Sequence, residues 1–118
     1  MSEIKDFKDL IIWQKGMEIA EQCYFVTKKF PKEELYGMVL QGAKIIIIAN
    51  ISEGYGRRSS GDYKRFLNLA QGSVNETETH LLLSARVGLC TLKDIEMIMN
   101  NLKEETRMIS ALIKKLNY

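Results

Sequence analysis

A row of polar residues follows the most apolar segment of this sequence, and it is the first place where the chain could carry out chemistry. Asn50, Glu53 and Arg57 are separated by three and four residues, which places them on one face of a helix. Glu76, on the next predicted helix, could join this row. Two interpretations stay open: a polar network that fixes the register of two helices, and a site for a small ligand or a partner.

Cationic and aromatic residues alternate around the end of that row. The cations are Arg57, Arg58, Lys64 and Arg65, with Tyr55 and Tyr63 among them. Cations suit phosphate contacts and aromatic rings suit base stacking. We therefore predict a nucleic-acid site, called here the basic corner, from the four cations and Tyr55. A solvated charged surface would have the same composition.

Catalytic and metal sites find little support in the sequence. A di-iron bundle needs Glu-x-x-His on two helices, whereas this chain has one histidine, His80, four residues after Glu76. Cys23 and Cys90 have no metal-ligand spacing and no histidine close in sequence, which favours two reduced and mostly buried thiols. We expect no catalytic residue, no metal and no cofactor.

Length and composition are those of one soluble domain spanning residues 1–118. The net charge of +2 is too small to predict nucleic-acid binding by itself, so any basic surface must be local. Met1–Asp6 contains no apolar segment typical of a secretory signal. The apolar run Ile45–Ile51 is far shorter than the ~20 residues of a membrane span. We expect a cytoplasmic protein that does not enter a membrane.

Apolar periodicity predicts four helices that position these residues. The first covers about Asp9–Lys29, the second starts at Pro31 and ends near Gly54, the third starts after Ser59 or Ser60 and ends at Gly88, and the fourth starts at Thr91. The run Ile45–Ile48 could be a buried strand, but no second strand-like run exists to pair with it. Short connections predict an all-α, antiparallel up-down-up-down four-helix bundle.

The apolar faces of these helices follow from residue spacing. The expected stripes are Leu10, Trp13, Met17, Ala20 and Tyr24 on the first helix; Leu35, Met38, Gly42, Ile45 and Ala49 on the second; Tyr63, Phe66, Leu67, Ala70, Val74, Thr77, Leu81 and Ser84 on the third; and Leu92, Ile95, Met99, Leu102, Thr106, Ile109, Ile113 and Leu116 on the fourth. Gly72 and Ser73 predict a close helix crossing. The second helix carries a further ridge, Leu40, Ile47 and Ile51, which we predict to be an oligomer interface.

Several motifs resemble one known family. They are Ala49-Asn50-Ile51-Ser52-Glu53-Gly54-Tyr55-Gly56-Arg57-Arg58, Arg65-Phe66-Leu67 with Gly72-Ser73 and Glu76-Thr77-Glu78-Thr79, Phe7-Lys8-Asp9-Leu10 with Trp13-Gln14-Lys15, and Lys29-Phe30-Pro31-Lys32-Glu33-Glu34. Together they resemble the four-helix-bundle proteins encoded in intervening sequences of 23S ribosomal RNA genes. The resemblance covers nearly the whole chain. It implies a four-helix bundle that commonly assembles as a ring-shaped pentamer, and it implies no established biochemical activity.

The family is also similar in fold to the accessory protein of diversity-generating retroelements, a pentameric bundle that binds a reverse transcriptase and nucleic acid. That likeness adds to the hypothesis of RNA binding, although a fold alone does not determine function. The chain departs from the family where Gln41 and Gly42 replace two arginines, and where Ile46 and Ile48 replace a serine and a proline. We expect a non-enzymatic, self-assembling bundle that binds RNA; a purely structural or protein-interaction module is the alternative.

Overall fold

Four α-helices form the part of the chain that the structure describes. A computed structural model describes residues 3–31 and 40–117, with side chains in the second range described from Ile45 onward. The helices are α1 (Ile11–Thr27), α2 (Leu40–Tyr55), α3 (Ser60–Arg86) and α4 (Leu92–Lys115), preceded by a 3₁₀ turn at Phe7–Asp9. No β-strand occurs within these two ranges, so the prediction of an all-α chain with four helices is confirmed. Pro31, the expected start of the second helix, is not helical, and residues 32–39 after it lie outside the described residues.

The four helices enclose one core. α1 packs against α2 and α4, and α3 also packs against α2 and α4, so each helix has two neighbours. The largest fully buried side chains come from all four helices: Ile19, Ile47, Ile51, Leu67, Val74, Leu81, Ile95, Ile98, Leu102, Glu105 and Ile109. All but Glu105 are apolar, and burial of each apolar side chain stabilises the fold by ~1.5–3 kcal/mol.

The helix ends that border the predicted loops follow the expected capping chemistry. The hydroxyl of Ser59 accepts a hydrogen bond from the backbone N–H of Asp62 and caps α3. Thr91 and Asp94 form a complete capping box at the start of α4. Gly88 adopts a positive φ of 83° just after α3, where glycine avoids the steric penalty of a side chain. These three predictions are confirmed.

The predicted apolar face of α1 is wrong by part of a turn. The buried residues are Ile12, Gly16, Ile19, Cys23 and Thr27, whereas Met17 and Tyr24 are exposed. Asp9 does not cap this helix, because its carboxylate accepts hydrogen bonds from the backbone of Lys5 and Asp6 in the preceding 3₁₀ turn.

The predicted faces of α2 are reversed, so the proposed oligomer interface is also wrong. Ile47 and Ile51 are fully buried inside one chain, whereas Ile45 is 55% exposed and Ala49 is also exposed. Of the predicted ridge, the side chain of Leu40 lies outside the described residues. Gly54 is buried on the same face of α2 as Ile47 and Ile51. Because it has no side chain, this face can approach α3 closely: a Cβ placed at Gly54 would lie 2.8 Å from the Cβ of Phe66.

The predicted stripe of α3 is largely confirmed. Leu67, Ala70, Val74, Thr77, Leu81 and Ser84 are all buried. The close crossing expected at Gly72 is wrong, because a Cβ added there would meet no atom within 4 Å, although its neighbour Ser73 is buried. On α4 the buried face includes Ile98 and Glu105 in addition to the expected Ile95, Leu102 and Ile109.

Glu105 places a carboxyl group inside the core. The residue is fully buried, and neither carboxyl oxygen has a hydrogen-bond partner among the residues described. A Cβ added to Gly16 of α1 would lie 3.1 Å from Oε2 of Glu105 and 2.6 Å from Cγ2 of Ile48. Burial raises the pKa of Glu105 to about 8, and the positive charge of Lys15 opposes that rise only partly. Lys15 is itself bound to Glu104, 2.9 Å away, and to Asn101.

Stability should therefore fall as pH rises through the neutral range. The folded-state pKa of Glu105, about 8, lies above the ordinary value of 4.5, so the folded chain holds a proton that the unfolded chain releases. The resulting stabilisation is fully present below pH 4.5 and is lost by pH 8. Glu105→Gln imitates the protonated acid, so we expect it to exceed the wild type in free energy of unfolding at alkaline pH and to approach it in acid. Urea denaturation at several pH values measures this difference.

Glu96→Gln is the matched control, because Glu96 is an exposed acid on the same helix. Its effect on the free energy of unfolding should change little with pH. A difference between Glu105→Gln and the wild type that stays constant from acid to alkaline pH would contradict the assignment of a raised pKa to Glu105.

Candidate nucleic-acid interface

The basic corner is built by the four-residue connection between α2 and α3. The backbone N–H of Gly56 donates to the carbonyl of Ser52, and that of Arg57 donates to the carbonyl of Gly54, so the chain leaves α2 in a tight turn. The Ser59 cap then starts α3 at once. The end of one helix and the start of the next are thereby held side by side, with the predicted cations between and beside them.

The ring of Phe66 contacts two of the predicted cations. The guanidinium carbons of Arg57 and Arg65 lie 4.6 and 4.4 Å from the centroid of its ring, within the range of cation–π attraction. Asp62 lies between the two arginines, 3.9 Å from Nη1 of Arg57 and 3.4 Å from Nε of Arg65. Arg57 also forms an ion pair with Glu53 one turn earlier on α2. The ring and the two carboxylates therefore fix the positions of both guanidinium groups.

Arg58 and Lys64 lack such acidic partners. Arg58 is exposed, and no ion pair of the described residues includes it. Lys64 donates a hydrogen bond of 2.7 Å to the side-chain oxygen of Asn117, which is uncharged and lies just after α4. The corner thus holds four cations and two carboxylates, Glu53 and Asp62, and its formal charge is 4 − 2 = +2.

The two tyrosines of the corner contact each other. The rings of Tyr55 and Tyr63 meet edge to face, with centroids 6.3 Å apart. Burial, with a smaller contribution from Tyr55, raises the pKa of Tyr63, so this phenol stays neutral at physiological pH. Tyr55 is only partly buried and presents an aromatic surface three residues before Arg58.

The predicted polar network forms only in part. Glu53 and Arg57 are paired, but no described hydrogen bond joins Asn50 to them. Glu76 lies 3.8 Å from Nε2 of His80 on its own helix and does not reach the row on α2. The structure therefore connects Arg57 to Asp62 and Phe66, two residues that the sequence did not assign to the site. Phe66 was expected in the core, since its spacing matches the apolar stripe of α3.

Features of other kinds of site can be compared over the same residues: metal ligands, reactive thiols and membrane-spanning helices. Across residues 3–31 and 40–117, no group of three or more His, Cys, Asp or Glu side chains could hold a metal ion. Cys23 and Cys90 are free thiols, and burial raises the pKa of Cys90, which keeps it protonated. None of the helices in those ranges is long and apolar enough to cross a membrane.

Comparison with known proteins identifies the family. A model of the 23S rRNA-intervening sequence protein family matches residues 8–111, which is most of the chain. The chain belongs to the 23S rRNA-intervening sequence protein family. The resemblance inferred from the motifs is thereby confirmed. No curated protein matches the chain in a sequence search.

The family match includes the basic corner and most of α4. No functional residue was predicted on α4. Lys103, Arg107 and Lys114 recur at steps of four and seven residues, which places them on one exposed face of that helix. This spacing is readable in the sequence, but the apolar seam of the same helix was the stronger pattern.

Proposed function

We propose that this member of the family is a non-enzymatic, self-assembling bundle that binds RNA through the basic corner. Its helices run antiparallel in up-down-up-down order, as their short connections favour. The observation that carries the proposal is the arrangement around Phe66, where two guanidinium groups are held in place while Arg58 and Lys64 keep unneutralised charges.

Positioned cations favour phosphate binding for a physical reason. A free arginine loses side-chain entropy when it contacts a phosphate, whereas Arg57 and Arg65 are already restrained by Phe66 and Asp62. Tyr55 adds an aromatic surface on which an unpaired base could stack. The corner therefore suits a structured RNA in which phosphates lie beside an unpaired base.

Self-assembly would increase the positive charge that an RNA meets on one surface. In a ring-shaped pentamer, the assembly implied by the family resemblance, the charge of +2 at each corner is repeated by symmetry on one surface. The interface that we propose is the exposed ridge of α2 formed by Ile45, Ile46 and Ala49, next to Trp13 of α1. Ile45 and Ile46 are 55% and 45% exposed, and Trp13, Ile45 and Ala49 line one open groove. Covering an apolar ridge of this kind favours association.

RNA binding should depend on the arginines of the corner. Arg57→Ala with Arg58→Ala should weaken binding to single-stranded RNA and lower the slope of log affinity against log salt by about 1–2, because each phosphate contact contributes ~0.7–0.9. Tyr55→Ala should weaken binding to single strands more than binding to duplexes, because only unpaired bases can stack on it. Fluorescence anisotropy over a salt series measures both effects.

Arg86→Ala with Lys93→Ala is the matched control, because Arg86 lies about 33 Å along α3 from Lys64 and Lys93 lies in the first turn of α4, just after the end of α3. This control should bind RNA as the wild type does. If the wild type binds neither single-stranded nor structured RNA at low salt, RNA binding is refuted and the protein-interaction alternative takes its place.

Assembly should depend on the exposed ridge of α2. Ile45→Glu with Ala49→Glu should shift the protein toward monomers, since each charge would be buried in the proposed interface without a partner. Leu83→Glu on α3 is the control, because Leu83 is about as exposed as Ile45 but lies on another helix. Size exclusion with light scattering measures the molar mass. A monomeric wild type would contradict the proposed assembly.

A further inference from the structure

The half of the α3–α4 surface nearest the basic corner is free of unpaired carboxylates. On α3, residues 63–75 contain no aspartate or glutamate. On α4, residues 97–117 contain two, Glu104 and Glu105. Glu104 is paired with Lys15 of α1, and Glu105 is buried in the core. The hydrogen bond and charge of Lys15, with a smaller contribution from Arg107, lower the pKa of Glu104, so its carboxylate is engaged mainly by Lys15. The described ion pairs therefore leave the other cations along this side without an acidic partner.

Four cations border this surface. Lys103, Arg107 and Lys114 are exposed on one face of α4, and Lys64 lies opposite the end of that face on α3. None of the four takes part in an ion pair among the residues described. Lys103 and Lys114 are about 16 Å apart along the helix axis, a length over which one strand of a duplex carries roughly five phosphates.

Side-chain hydrogen bonds hold the two helices at a fixed distance along this surface. The amide nitrogen of Gln71 on α3 donates to the carbonyl of Thr106, at 3.0 Å, and to the hydroxyl of Ser110, at 2.9 Å, both on α4. Lys64 bonds to Asn117 at the other end. A shallow depression of about 420 Å³ lies beside them, lined by the α4 residues Thr106, Arg107, Ser110, Ala111 and Lys114. This depression and the facing side of α3 are called here the α3–α4 groove. The hydrogen bonds of Gln71 and Lys64 brace it, and Arg107 and Lys114 lie in the depression itself.

The uncharged groups of the groove indicate which polyanion it fits. Asn68 and Asn75 on α3 and Ser110 on α4 are exposed hydrogen-bonding residues among the cations. No phenylalanine, tyrosine or tryptophan occurs between Phe66 and Asn117, so this surface lacks the aromatic rings that could stack on bases at the corner. Amides and hydroxyls suit the 2′-hydroxyls of an RNA duplex, which is recognised through its shape, phosphates and sugars.

We infer that the α3–α4 groove binds the sugar–phosphate backbone of double-stranded RNA, as a second surface beside the basic corner. The inference rests on the proposed RNA binding but uses residues outside the corner, except for Lys64, which borders both. A structured RNA would thus place its duplex in the groove and its unpaired end at Tyr55.

The test compares two variants on three probes. The groove variant is Lys103→Ala, Arg107→Ala and Lys114→Ala, and the corner variant is Arg57→Ala with Arg58→Ala. The probes are an RNA duplex, a DNA duplex of the same sequence and oligouridine, titrated by anisotropy over a salt series. We expect the groove variant to lower the salt slope for the RNA duplex by about 2–3, because three phosphate contacts are lost. It should bind oligouridine nearly as the wild type does, and the wild type should prefer RNA to DNA duplex.

Lys28→Ala, Lys29→Ala and Lys93→Ala form the matched control, because they remove the same charge from another end of the molecule. Circular dichroism and light scattering test whether each variant keeps its fold and assembly. If the triple variant fails to fold or to assemble, Lys103→Gln with Lys114→Gln replaces it. A groove variant that binds the RNA duplex with wild-type affinity and slope would overturn the inference, and so would equal affinity for the two duplexes. A corner variant that binds oligouridine with wild-type affinity would instead refute the proposal that the basic corner binds RNA.

Discussion

The close approach of α2 to α3 at Gly54 is the constraint on which the rest of this structure depends. A side chain at this position would overlap the Cβ of Phe66, at 2.8 Å, and would crowd the ring of Tyr63, at 3.1 Å. With only hydrogen at Gly54, the face of α2 that carries Ile47 and Ile51 is turned into the core. The same contact holds Phe66 at the helix junction, where its ring meets Arg57 and Arg65. One glycine therefore links the burial of a helix to the placement of charges at its end.

Carboxylates decide which cations of this small bundle remain available to a polyanion. Glu53 and Asp62 restrain Arg57 and Arg65, and Glu104 pairs with Lys15 away from the α3–α4 groove. Glu105 is withdrawn into the core, where burial raises its pKa and removes its charge near neutral pH. The net charge of +2 is thus unevenly distributed, and the basic corner and the α3–α4 groove each hold cations without an ion-pair partner among the described residues. This distribution is the physical basis of the proposed RNA binding.

The sequence predicted the elements whose signals are unambiguous. α3 has one clear apolar stripe, and Ser59, Gly88 and Thr91 have local capping roles that need no tertiary information. α2 is apolar on almost every side, so periodicity could not decide which ridge packs inward; the decision comes from the contact between Gly54 and Phe66. Phe66 was expected in the core because a residue at a helix junction has the same spacing as a core residue. Glu105 shares the three- and four-residue spacing of Ile98, Leu102 and Ile109, but its burial was not predicted because acids in a helix are ordinarily exposed.

The most direct test of this account measures the contact at Gly54. Gly54→Ala should lower the free energy of unfolding by about 1–3 kcal/mol, because the added methyl group overlaps Phe66. Gly72→Ala is the control: it enters open space on an exposed helix face and should raise stability by up to ~1 kcal/mol. Both are compared with the wild type by urea denaturation at one protein concentration, since self-association would contribute to apparent stability. A Gly54→Ala variant as stable as Gly72→Ala would contradict the account, because α2 and α3 would then not meet closely enough to position Phe66 and its arginines.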